Sequence, residues 1–329
     1  MKLSSLPLKS ANTSRQVVAC VDRSAHACDV ANAAAGLANA FNLPLTLFHV
    51  VEPAGGQDHR TDPLEWSLCR TQARSFLSKL KGTLPVDPNA VTVELVEGER
   101  VQAITERGAV SGTILVMGAG GEDKHLFFRG HTAQQVLESG VGPVLIVPVG
   151  HVVAKLPLRR ILVPLDGSHF SEAALAEATV LARRTGAELV LAHVVPDAGL
   201  IAFGPPESSD LELRVWLDKR NQHVASDFLE KTTRRVAQQG LKVRSICLKG
   251  ETRSTLQQAI AEANPSLVVL SARGSGCQHC RDLPIGSTAS YLLDHLLVPT
   301  MMVPATSSRI KRPVFPAPEH HIRASTFAA

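Results

Sequence analysis

The chain repeats itself. The segment QVVACVDRSAHACDVANAAAGLANAFNLPLTLFHVVEP near the start is answered by RILVPLDGSHFSEAALAEATVLARRTGAELVLAHVVPD near the middle. Asp22 and Asp166 lie 144 residues apart, and so do His49 and His193. Farther along, Gly98-Glu99 matches Gly250-Glu251 at an offset of 152, Gly121 matches Gly274 at 153, and Pro143 matches Pro299 at 156. An offset that grows only between matched segments is what a duplicated domain with altered loops produces. Two domains of average size also suit 329 residues better than one enlarged core. The expected units are residues 14–149 and 157–304, joined by a linker near 150–157, with residues 305–329 forming a disordered basic tail.

Within each copy, strand and helix patterns alternate. In the second, RRILVPL reads as a strand, and Ser171 to about Thr185 as a helix with apolar residues at i, i+3 and i+4 and a closing glycine, Gly186. ELVLAHVV, LKVRSICL, SLVVLSA and TMMVP supply four more strands, separated by helices over about 211–239, 251–263 and 286–296. The first copy places its strands near 16–21, 44–50, 91–96, 113–117 and 143–147. Strict alternation implies parallel strands, right-handed crossovers and helices on both faces. The fold class is therefore α/β: two tandem, doubly wound sandwiches, each on a five-stranded parallel sheet of order 3-2-1-4-5. Composition agrees, because aromatics are only 4% against 44% hydrophobic residues, which leaves Val, Leu, Ile and Ala to build buried strands under Ala-rich helices. The fifth strands, PVLIVPV at 143–149 and TMMVP at 300–304, fall at a sheet edge whose unpaired N–H and C=O groups invite another strand. They are expected to meet across a pseudo-two-fold axis within the chain, leaving further homodimerisation open.

The net charge of +4 comes from the ends, where Lys2 and Lys9 give +2 and Arg309, Lys311, Arg312 and Arg323 against Glu319 give +3, leaving the body at about −1. The near-neutral body between them argues against a nucleic-acid partner, which needs positive charge on a folded face. The opening MKLSSLPLKSANTSR has no apolar stretch of secretory length, and no run approaches the ~18 apolar residues of a membrane span. Six cysteines are too sparse for a disulfide framework, so a reducing, cytoplasmic setting is expected.

In an open parallel sheet, ligands sit beyond the carboxyl ends of the strands where the strand order reverses, here between the first and fourth strands. The unusual turn residues of the second copy fall at both places. Pro164-Leu165-Asp166-Gly167-Ser168 follows the first strand; Ser271-Ala272-Arg273-Gly274-Ser275-Gly276 follows the fourth, with Gly286-Ser287-Thr288 opening the next helix. Glycines let the main chain approach a phosphate, a helix N-terminus offers it free N–H groups, and a carboxylate can accept from a base or ribose. Together these describe a nucleotide-sized slot.

The segment VPLDGSHFSEAAL resembles the opening of universal stress protein domains, and the turn after the fourth strand resembles their nucleotide motif, Gly-x2-Gly-x9-Gly-(Ser/Thr). The resemblance covers both copies, about residues 15–304. It implies the adenine nucleotide α-hydrolase-like sandwich and, as in many members, binding of ATP or another adenine nucleotide. By position, Asp166 and Val194 would contact adenine, while Gly274, Gly286 and Ser287 would cradle ribose and phosphates. The first-copy set would be Asp22, Gly118, Gly121, Gly130 and Thr132. Departures stand in both copies. Ser271 replaces the first motif glycine and eleven residues separate Gly274 from Gly286; in the first copy eight residues precede Gly130, His131 takes the Ser/Thr position, and Arg23 follows Asp22.

Other chemistry has thinner support. Cys277, His279 and Cys280 give only three local ligands, where a closed zinc site wants four, and the pair does not open a helix as a redox pair would. His49 and His193, at matched strand ends, read as satisfied rim residues. Neither Gly-x-Ser-x-Gly nor His-Glu-x-x-His occurs, so a dedicated hydrolase has no signature. Three function classes follow: a non-catalytic stress-response regulator with an adenine nucleotide as ligand, a pure interaction module with degenerate slots, and a slow ATP hydrolase or thiol- or zinc-dependent enzyme.

Overall fold

The computed structural model describes residues 15–52, 63–120, 130–150, 158–197, 208–278 and 284–304. The first copy runs β1 (Gln16–Cys20), α1 (Ala27–Phe41), β2 (Leu45–Val51), α2 (Pro63–Thr83), β3 (Val91–Glu97), α3 (Arg100–Gly108), β4 (Thr113–Gly118), α4 (His131–Ser139) and β5 (Val144–Val147). The second repeats it as β6 (Arg160–Pro164), α5 (His169–Thr185), β7 (Glu188–Val195), α6 (Ser208–Ala237), β8 (Val243–Lys249), α7 (Thr252–Ala263), β9 (Leu267–Ser271), α8 (Ser287–His295) and β10 (Thr300–Val303). Central strands such as β2 are buried along their whole length, as strands covered on both faces must be. Alternate residues of each strand feed two apolar layers. One holds Val17, Ala19, Leu47, Ile161 and Val163 under α1, α2, α5 and α6; the other holds Val18, Leu115, Leu162 and Val268 under α3, α4, α7 and α8.

Both copies have the order 3-2-1-4-5, and the two sheets are one. The ten strands run β3-β2-β1-β4-β5-β10-β9-β6-β7-β8, parallel throughout except at the seam, where β5 and β10 pair antiparallel with Leu145 opposite Met301. The edges expected for the fifth strands are thus closed by each other. Arg15 crosses the seam to grip Glu177 of α5 with two hydrogen bonds, at 3.0 and 2.8 Å. Because the copies point in opposite directions, the carboxyl ends of their strands open at opposite ends of the sheet. Two separate crevices result.

The repeated Gly-Glu pairs have a structural job. Gly98 and Gly250 take φ of 143° and 142°, which a side chain would strain. Glu99 and Glu251 then cap α3 and α7, each accepting from two backbone N–H groups of the first turn. The Ser254 amide and hydroxyl, with the Arg253 amide, hold the Glu251 carboxyl down from the ordinary 4.5 to about 2. A depressed carboxylate stabilises above its unfolded pKa, and that contribution is lost as pH falls toward the folded value. Glu251→Gln should therefore lower the melting temperature at neutral pH and shrink the further fall between pH 4.5 and 2. Parallel melting curves for the two proteins over that range would refute the cap's role.

Candidate functional site

At the second crevice the turn after β6 is built on Asp166. Gly167, at φ 76°, bends the chain so that Ser168 becomes the N-cap of α5. Asp166 Oδ1 accepts from the Ser168 amide at 3.0 Å and its hydroxyl at 2.7 Å. The other oxygen, Oδ2, accepts from the Ser275 amide at 2.6 Å, which ties the turn after β6 to the turn after β9. Burial alone would raise this carboxyl; the bonds from Ser168, Ser275 and Ser171 outweigh it and hold Asp166 below the usual range. A side chain at Gly274 would collide with this latch: a Cβ there would stand 2.5 Å from Asp166 Oδ2, so one of the two would have to move.

Around this latch lie the other expected contributors. Gly286 caps α8 and donates its N–H to the Ala272 carbonyl at 2.7 Å, but no side chain caps the helix, and Ser287 is exposed at its first turn. The first-turn amides of α8 thus open beside the β9 turn, where an anion is favoured. Val194 lies near the end of β7, beyond the last rung of the β6–β7 ladder at Pro164–Ala192, with its side chain buried. The structure therefore gathers Asp166, Gly274, Gly286 and Ser287 at the switch point, with Val194 on the neighbouring strand.

The first crevice differs. Asp22 makes the same local turn, accepting from the Ser24 amide at 3.1 Å and hydroxyl at 2.5 Å. Gly130 repeats Gly286, capping α4 without a side chain and donating to the Ala119 carbonyl, with Thr132 in the first turn of the helix. Gly118, however, is a glycine for another reason. A Cβ there would meet His26 Cδ2 at 2.8 Å, because the His26 ring is buried over it, reaching the Val147 carbonyl at 3.0 Å and the Asp29 carboxylate at 3.1 Å. By the repeat offsets of 144 and 153, the second copy has Phe170 where the first has His26, and Ser271 where the first has Gly118. His26 escaped the sequence reading, since no motif marks it and only the 144-residue offset points to it. Gly121 lies outside the described residues, as do His279 and Cys280, and nothing is described of the Cys277 side chain.

His49 and His193 are strand-end anchors. Their Nδ1 atoms reach the carbonyls of Val21 and Leu165, at 2.7 and 2.6 Å, and their rings lean on Phe76 and Phe228. A carbonyl only accepts, so Nδ1 carries the hydrogen. Each histidine steadies the residue just before Asp22 or Asp166.

The model of the universal stress protein family matches residues 13–148 and again 157–304. Among solved structures, a universal stress protein from Archaeoglobus fulgidus DSM 4304 aligns over 88% of this chain and 98% of its own, with TM-score 0.62 and 19% identity. A functionally unknown protein from Pseudomonas aeruginosa PAO1 aligns over 88% and 92%, with TM-score 0.52 and 15% identity. Comparison with curated proteins returns no match. The two structural likenesses speak for the fold; the twofold family match decides membership. The chain belongs to the universal stress protein family and carries two of its domains in tandem.

Proposed function

We propose that this protein is a non-catalytic stress-response regulator that binds an adenine nucleotide, ATP foremost, in its second copy. The observation that supports this most directly is the Asp166 carboxylate, held ionised against the Gly274–Ser275 turn beside the uncapped N-terminus of α8. In this reading the Asp166 carboxylate would accept from the base or ribose, and the first-turn amides of α8 would meet the phosphates. Binding would exchange the Ser275 amide on Asp166 for a ligand donor and free that amide for the ligand, so occupancy and turn position would be coupled.

The first copy serves as a structural partner in this reading. His26 fills the space over Gly118 that a ligand would need, and the seam binds both copies into one sheet. No described helix is long and apolar enough to cross a membrane. The test is direct. Purified protein, denatured and chromatographed, should release adenine nucleotide at no more than one equivalent per chain, and calorimetry should show Asp166→Ala weakening ATP binding at least ~10-fold, the equivalent of ~1.4 kcal/mol. Wild-type affinity in that variant would overturn the site. Absence of binding in the wild type would favour the interaction module.

A further inference from the structure

Away from the crevices, the outer edge of the second copy carries a groove between α6 and β8. Along β8, Val243, Ser245, Cys247 and Lys249 alternate toward α6, as the 2.6 Å bond from Lys249 to Asp218 of that helix shows. The helix presents Ser226, Leu229, Glu230, Thr233 and Arg234, and the space between helix and strand measures about 360 Å³. Its origin is legible in the repeat. The registers Leu45–Val91 and Leu189–Val243 match, so Ser245 and Cys247 stand where the first copy has Val93 and Leu95. On the helix, Leu229 matches Leu77, which puts Thr233 where Lys81 stands. Two apolar side chains and a long one have become small and polar.

The groove is chemically unfinished. Thr233 Oγ1 is, among the described residues, the one buried side-chain polar atom with no hydrogen-bond partner, a state that buried hydroxyls rarely keep. Cys247, exposed, opens onto the same space. At the rim Glu230 and Arg234 pair at 2.6 Å while each is two-thirds exposed, so solvent weakens the pair and both heads can turn to a ligand. A carboxylate and a guanidinium one helical turn apart match a molecule bearing both an ammonium and a carboxylate.

We propose that this groove takes a small zwitterionic peptide disulfide and that Cys247 exchanges with it to form a mixed disulfide. The Cys247 thiolate attacks one sulfur of the ligand, whose S–S bond breaks as the new one forms. The other half leaves as a thiolate and picks up a proton equivalent to the one Cys247 lost, so no further oxidant is required. The Ser245 hydroxyl bonds the retained half, and Glu230 and Arg234 take its charged ends.

The protein contains its own controls. Cys28 is also exposed, in the first turn of α1, but outside the groove. Burial pushes the Cys20 thiol up to about 12. The full chain is incubated with oxidised glutathione, and the peptides holding each cysteine are quantified by mass spectrometry. Cys247 should be modified about tenfold faster than Cys28, and uncharged hydroxyethyl disulfide should show no such preference. Refilling the groove with Ser245→Val or Thr233→Val should slow Cys247 about fivefold or more and leave Cys28 unchanged, with melting temperatures as reference. Should a refilled variant fold poorly, Arg234→Ala at the exposed rim decides. Equal rates at the two cysteines, equal preference for the uncharged reagent, or refilled and rim variants that react like wild type would each overturn the proposal.

Discussion

Ile146→Lys is expected to split the single sheet into two halves. Ile146 is 3% exposed in β5, opposite Thr300 of β10, in the apolar layer that also holds Met117, Val144 and Met302. Removing such a side chain costs ~2–5 kcal/mol through lost burial and cavity. The ammonium adds a desolvation penalty that it can escape only by losing its proton or leaving the layer. Against a total stability of ~5–15 kcal/mol, that is enough to break the weakest connection, and the seam is short: three residue pairs join β5 to β10. The rest of each copy keeps its own parallel ladder and helices. Calorimetry should resolve one unfolding transition into two, the first at lower temperature, and protease should cut within 150–157 much faster than in wild type. A variant with one unshifted transition and unchanged resistance would show that the halves do not depend on the seam.

The seam was among the more legible features, and the reason is physical. A run as apolar as PVLIVPV at a predicted edge cannot stay wet, and a second such run in the same chain is the nearest cover. Strand order was legible for a similar reason, because alternating β and α leaves little choice of topology. The crevices were read less well. Gly118 looks like the retained first glycine of a phosphate motif, yet its missing side chain makes room for His26, a residue 92 positions earlier. A glycine motif records where the backbone must be bare without saying what approaches it. The same holds for Gly274, which faces Asp166 in this structure. The α6–β8 groove was out of reach altogether. Ser245, Cys247 and Thr233 carry no motif, and their meaning depends on β8 being an edge and on which helix residues face it.

Gly274→Ala should be severe beside Asp166 and nearly silent without it. The added Cβ would lie 2.5 Å from Asp166 Oδ2, closer than side-chain carbons approach an oxygen, so the carboxylate or the β9 turn must move. Either movement breaks the 2.6 Å bond from the Ser275 amide, a hydrogen bond to a charged group worth ~1.5–3 kcal/mol. The carboxylate is then left part-buried with only the bonds from Ser168 and Ser171. Asp166→Ala removes the same bond and, with it, the atom that the new methyl would strike. Once that change is made, Gly274→Ala has nothing left to break, and its backbone conformation tolerates a side chain since Gly274 is not among the positive-φ glycines. The double-mutant cycle should therefore show a coupling of ~1–3 kcal/mol, the double variant being about as stable as Asp166→Ala alone. Denaturant melts of the four proteins measure this with no ligand present, so the latch is tested independently of nucleotide binding. If ATP occupies the second crevice, its affinity should fall in the same pattern, at least ~10-fold for either single change and little further for both. Additive losses in the melts would mean that Gly274 and Asp166 act separately and that the two turns are not tied through this carboxylate.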